Sequence, residues 1–217
     1  MLKTEILENL KKAVKEYNAG EGVLWTRKAV EESIDPATCL DVLTEAIREI
    51  GDGFARGELF LPDLIGAASV MERTMPILEE VFKEKTGKKR KTKGNIVAGT
   101  VFGDIHSIGI TMVAALARAE GFNVIELGVN IKAEHFVKAI KEHKAHILAM
   151  SALLTTTAPE QEKVIKLLKR ENLRDKVKVA VGGGAITQDF ADQIGADGYR
   201  PTAPMAVELF KEFVEVA

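Results

Sequence analysis

Apolar positions along the chain follow two different periods. Up to residue 86 they recur at helical spacing. Leu64, Ala68, Met71, Met75, Leu78 and Phe82 step by four and three, one stripe down a long helix. Pro62 stands near its start, and Pro76 falls inside the pattern, where it should kink the helix. Asp35-Pro36 reads as a cap and first-turn proline before a helix whose apolar face is Val42, Leu43, Ala46, Ile47 and Ile50. Ile6, Leu7, Leu10 and Val14 mark a first helix, and 25–32 a short second one. Four helices with short connections predict a small bundle.

From residue 95 the pattern changes to short β-branched or apolar runs at 95–101, 123–127, 146–151 and 177–181, with a last one near 197–199. Amphipathic helical stretches separate them at 108–120, 133–143, 159–171 and 187–194, and a final helix is expected at 203–216. This (βα)5 alternation predicts a doubly wound parallel sheet of flavodoxin-like order 2-1-3-4-5, covered by helices on both faces. The expected domains are a helical cap, 1–87, a basic linker, 88–94, and a Rossmann-like domain, 95–217. The run Lys88-Lys89-Arg90-Lys91 could serve nuclear import or nucleic-acid binding. A solvated linker is the simpler reading, because no aromatic residue interleaves the charge.

Composition narrows the function. With 46% hydrophobic and 29% charged residues the chain has a real core and is not a disordered tail. Thirty Lys+Arg against 32 Asp+Glu leave a net charge of −2, so no global field draws in nucleic acid or anionic lipid. No membrane span is seen and the N-terminus lacks a signal-peptide core, so a cytoplasmic protein without nucleic-acid or membrane partners is expected. The single Cys39 has no internal disulfide partner.

In such a sheet, ligands sit beyond the carboxyl ends of the strands where strand order reverses, here between the first and third strands. The loop after the first carries Gly103, Asp104, Ile105, His106, Ser107 and Gly109, and the segment after the third runs from Ser151 through Leu153 and Thr155 to Thr157. The fourth strand ends in Gly182-Gly183-Gly184. His135, His143 and His146 fall on a helix or at a strand's N-terminal end, away from this crevice. One histidine without a nearby cysteine does not build a zinc site, which takes three or four ligands from the chain. A metal already held by a macrocycle needs only one axial ligand, and an aspartate two residues away can orient that imidazole. The same Asp–His pair also suits a loop tie. Likewise the glycines suit either a bulky ligand or a tight turn, and the threonines either a ligand or a helix cap.

Asp104-x-His106-x-x-Gly109, then Ser151-x-Leu153, then Gly182-Gly183, resembles the three-part signature of cobalamin-binding domains. Glu58-Leu59-Phe60-Leu61-Pro62-Asp63-Leu64 resembles the helical cap of methionine synthase and of small corrinoid proteins in methyltransferase systems. The resemblance implies cobalamin bound base-off, with His106 as the cobalt ligand, Asp104 bonded to it and Thr157 as third member of that set. It places Ser151 and Thr155 against the nucleotide tail, Gly182 and Gly183 in the slot wall, and Ala203 at the tail's other side. The cap would shield the upper face. Ser107 and Ile110 stand where relatives often carry Asp and Lys, and Arg200-Pro201-Thr202 where they often have a different turn.

The implied function is a methyl carrier, inert alone in net turnover. It would cycle methylcobalamin and Co(I) corrinoid between a donor-specific methyltransferase and an acceptor methyltransferase using tetrahydrofolate or a thiol, with a reductive activase as third partner. The donor (methanol, methylamine, betaine or aryl methyl ether) would be selected by the partner. The alternative is a cobalamin-dependent sensor, which would want a DNA-reading helix that residues 1–35 do not show. An adenosylcobalamin mutase subunit usually lacks the cap, and a signalling receiver would want an acidic cluster absent here.

Overall fold

The computed structural model describes residues 3–86 and 92–215. The chain divides into two compact units, Met1–Lys91 and Thr92–Ala217.

The first unit holds α1 (Lys3–Lys15), α2 (Ala19–Glu31), α3 (Pro36–Ala55) and α4 (Leu61–Thr86). Its core includes, of the positions the periodicity marks, Ile6, Leu10 and Val14 from α1, Leu43, Ala46, Ile47 and Ile50 from α3, and Leu64, Ala68, Met71 and Leu78 from α4, and adds Ala29, Ala67 and Val70. Leu7, Val42 and Met75 are half-buried, and the Phe82 side chain lies outside what the structure describes. Asp35 caps α3 by accepting from the Ala37 amide at 3.1 Å, with Pro36 in the first turn. α4 runs unbroken through Pro76. α2 begins six residues earlier than the pattern predicts, with Asn18 as its cap. Its first turns contain Gly20 and Gly22, poor helix formers that hid the helix from a propensity reading. Packing explains Gly22: a Cβ there would stand 2.5 Å from Val70 Cγ1, so the missing side chain lets α2 lie directly on α4.

The second unit is a five-stranded parallel sheet of order β2-β1-β3-β4-β5, as expected. Its strands are β1 (Asn95–Thr100), β2 (Asn123–Glu126), β3 (Ile147–Ser151), β4 (Lys178–Gly182) and β5 (Gly198–Tyr199). β3 is buried along its whole length and β1 nearly so, which is why both read as continuous apolar runs. α5 (Ile108–Ala119), α6 (Ala133–His143), α7 (Pro159–Arg170), α8 (Gln188–Ile194) and α9 (Ala203–Glu215) provide the cover. Val97, Leu148, Met150, Val179 and Val181 point to one face, against Phe136, Ile140, Val164, Ile165 and Leu168 of α6 and α7. α5 and α9 pack together, and Phe122 meets Phe210 edge to face with centroids 6.3 Å apart.

Of the expected linker, residues 88–91 lie outside the described residues. Thr92, Lys93 and Gly94 belong to the second unit. The Lys93 amide donates to Gly121 O at 3.1 Å, the Thr92 hydroxyl accepts from the Asn123 amide, and the Lys93 ammonium meets the buried Glu120 at 3.3 Å. Lys211 also reaches Glu120, at 3.5 Å, which compensates that carboxylate's burial. No helix among the described residues is long and apolar enough to cross a membrane.

Candidate functional site

The carboxyl ends of β1 and β3 lie side by side, Thr100 opposite Ser151. The loops leaving them meet on Asp104, whose side chain is completely buried. A buried carboxylate is costly unless its lone pairs are filled, and these are. Oδ1 accepts from the His106 amide at 3.0 Å and lies 2.7 Å from His106 Nδ1. Oδ2 accepts from the Leu153 amide at 2.7 Å and the Thr157 hydroxyl at 2.7 Å. Burial pushes the Asp104 carboxyl up, but the Thr157 hydroxyl, the His106 amide and ring and the Leu153 amide outweigh it and hold the group well below the usual carboxylate range. Asp104 is therefore ionised and can only accept. The proton between it and His106 resides on Nδ1, and the Nε2 lone pair is left for a ligand.

His106 itself is not enclosed: its side chain is 46% exposed. Around it the same loops expose large apolar groups, Ile105 at 73% and Ile108 at 57%, with Phe102, Leu153 and Leu154 nearer 42%. An imidazole set in an uncovered apolar patch, with a proton acceptor fixed behind it, suits a broad, largely apolar ligand that takes one axial bond. Among the described residues no group of three His, Cys, Asp or Glu side chains forms a metal cage. His135 and His143 lie on α6, and His146 accepts from the Asn95 amide at the opposite end of the sheet.

The other residues singled out in the sequence separate by role. Thr157 is buried and bonds Asp104, whereas Thr155 is exposed. The Thr157 hydroxyl is not a helix cap: Ala158 holds the cap position of α7, without a side-chain bond. Ser151 is buried at the end of β3, and Ala203, at the start of α9, is buried beyond the end of β5. Ser107 stands at the start of α5 without capping it, and Gly103 and Gly109 are exposed. The two glycines after β4 differ. A Cβ at Gly182 would find only Arg200 O, at 3.9 Å, so that position borders open space. A Cβ at Gly183, where φ is +115°, would stand 2.0 Å from Ala152 O, so the β4 loop rests on the β3 loop there and the chain's own packing requires the glycine.

Two polar residues near the site carry no signal in the sequence reading. Asn130, after β2, accepts from the Gly103 amide through Oδ1 at 2.8 Å and donates its own amide to Asp104 O at 2.9 Å. Gln161, fully buried on α7, donates through Nε2 to Met150 O and Gly182 O, both at 3.2 Å, tying the ends of β3 and β4. An Asn at φ +58° and a buried Gln in a helix's first turn are the traces they leave.

Comparisons with known proteins show the family to which the chain belongs. Residues 94–208 match the B12 binding domain, and residues 6–79 match a second B12 binding domain family. The chain thus belongs to the B12-binding corrinoid proteins of methyltransferase systems, and its cofactor is a corrinoid. It is 43% identical, over 94% of its length and 95% of the relative's, to a corrinoid protein of Desulfitobacterium hafniense (strain Y51). It is 37% identical to the trimethylamine corrinoid protein of Methanosarcina barkeri, over 99% of both chains. Among solved structures it resembles the methanol:cobalamin methyltransferase complex MtaBC from Methanosarcina barkeri, with a TM-score of 0.86 and 30% identity over 98% of this chain and 81% of that one. A cobalamin-binding protein from Desulfitobacterium hafniense DCB-2 matches with a TM-score of 0.75 and 25% identity over 95% and 98% of the two chains.

Proposed function

We propose that this chain is a methyl-carrier corrinoid protein that holds cobalamin base-off, with His106 Nε2 as the lower cobalt ligand. The observation that carries the proposal is the buried, ionised Asp104 at 2.7 Å from His106 Nδ1. When bound, the corrinoid supplies a cobalt centre able to take up and release a methyl group. The chain's own residues bind and orient. Asp104 keeps the imidazole in the Nδ1–H tautomer and makes Nε2 a better donor. Thr157 and the Leu153 amide fix Asp104 in turn. Ile105, Ile108, Phe102, Leu153 and Leu154 offer apolar cover to the macrocycle, while Ser151, Thr155, Gly182 and Ala203 line the tail's path.

The partners we infer are a donor-specific methyltransferase, an acceptor methyltransferase and a reductive activase. Full-length likeness to trimethylamine and dimethylamine corrinoid proteins, at 37% and 39% identity, supports a methylated amine as donor. The ligand assignment is tested by reconstituting the full chain with hydroxocobalamin and recording electron paramagnetic resonance of the Co(II) state. One nitrogen should split each cobalt line, and ¹⁵N-labelled histidine should change that splitting. A pattern insensitive to the label removes His106 as ligand.

A further inference from the structure

We propose that Asn130 is a positioning residue for His106, holding the Asp104 backbone so that its carboxylate meets the imidazole. The inference deepens the reading of His106 as cobalt ligand and rests on it, and it concerns a residue whose hydrogen bonds go to the backbone of Gly103 and Asp104.

Asp104 is held from two sides. Its carboxylate is fixed from the β3 side by the Leu153 amide and the Thr157 hydroxyl. Its backbone is fixed from the β2 side by Asn130, which forms one donor and one acceptor bond with the Gly103–Asp104 dipeptide. The segment carrying Asn130 is well anchored. The Leu127 amide donates to Ala98 O at 2.8 Å, Gly128 O accepts from the Thr100 amide at 2.9 Å, and the Ile131 amide donates to Thr100 O at 3.0 Å. Ile131 also bridges Val101. Asn130 sits at the tip of this paired segment with φ +58°, a left-handed conformation that asparagine tolerates better than most residues. That turn returns its side chain onto Gly103 N.

The dipeptide needs such a clamp. Gly103 has φ +80° and is the most permissive residue of the loop, so without the Asn130 bonds the Gly103–Asp104 backbone keeps the Asp104 amide's bond to Val101 O, at 3.1 Å, and can pivot about it. Asp104 Oδ1 serves both the amide and the ring of His106. Rotation at Gly103 with Oδ2 still bound to Thr157 would swing Oδ1 off the ring, and Nδ1 would lose its acceptor. The imidazole would then divide between tautomers, and the fraction presenting an Nε2 lone pair would fall.

The test uses the full apoprotein, so it does not depend on cobalt ligation. Long-range ¹H–¹⁵N spectra of the histidine rings are recorded near pH ~8, above the usual imidazole range. The His106 signal is assigned with a His106→Gln variant. Wild type should show His106 as a single Nδ1–H tautomer. Asn130→Gly keeps the left-handed turn but removes Oδ1. It should narrow the separation of the two ring-nitrogen shifts and speed exchange of the Gly103 amide roughly two- to tenfold, the weight of one net hydrogen bond. Asn130→Asp, which restores an acceptor, should restore the wild-type ring signal. An unchanged His106 ring in Asn130→Gly, with or without faster Gly103 exchange, reduces Asn130 to a loop staple and overturns the inference. So does an Asn130→Asp ring signal unlike wild type, a result that stands even if the glycine variant does not fold. If the ring responds as expected while the cobalt spectrum ignores ¹⁵N-histidine, the ligand reading fails and the positioning role survives.

Discussion

The Thr157 hydroxyl donates to Asp104 Oδ2 at 2.7 Å, joining residues 53 positions apart in sequence. The bond crosses from the loop after β3 to the loop after β1, and it leaves Oδ1 of the same carboxylate for His106. Thr157→Val keeps the shape and removes the donor. The buried carboxylate would lose one of its bonds, and hydrogen bonds to charged groups contribute about 1.5–3 kcal/mol. A loss of that order in urea unfolding is expected, with Thr157→Ser recovering most of it. Equal midpoints for wild type and Thr157→Val would show that Asp104 does not need this donor.

The same carboxylate makes stability pH-dependent. Its pKa in the fold lies below the ordinary value of 3.8, so the unfolded chain takes up its proton first as pH falls. Its contribution is complete well above 3.8 and is lost as pH drops through that value and below. The apoprotein's melting temperature should therefore decline from about pH 5 downward. In Asp104→Asn the decline should be shallower, although the variant is less stable at neutral pH. Parallel curves for the two proteins would assign the acid sensitivity to other groups.

Removing the ligand and disturbing its orientation should differ in degree. His106→Ala should abolish nitrogen splitting in the Co(II) spectrum while much of the corrinoid stays bound, since the tail path and apolar cover are untouched. Asp104→Asn should weaken ligation within the ~10–100-fold range of such supporting contacts. If Asp104→Asn removed the splitting as completely as His106→Ala, the division of roles between the two residues would be wrong.

Gly22→Ala tests the helical unit. Alanine favours a helix by about 1 kcal/mol over glycine, whereas forcing a methyl into packed space costs about 1–3 kcal/mol. Here the new Cβ would stand 2.5 Å from the fully buried Val70, so the clash should win and the unit should lose about 1 kcal/mol on balance. A stabilised Gly22→Ala protein would mean that α2 and α4 readily move apart.

Local chemistry made much of this protein legible in its sequence. The apolar periods that mark α3, α4 and the strands arise within a few residues, and so does the Asp104–His106 pair, whose members stand two positions apart. The glycine-broken start of α2 was not legible, because propensity opposes it and only packing on α4 supports it. The site divides the same way. Two residues of separation place an aspartate beside a histidine, but nothing local selects Thr157 over Thr155 as the second partner, distinguishes Gly182 from Gly183, or brings Asn130 to Gly103. Those contacts join residues 27 to 53 positions apart. The contacts at Asp104 exist because the strand order sets β1 between β2 and β3, so that the β3 loop closes on its buried carboxylate and the β2 loop on its backbone.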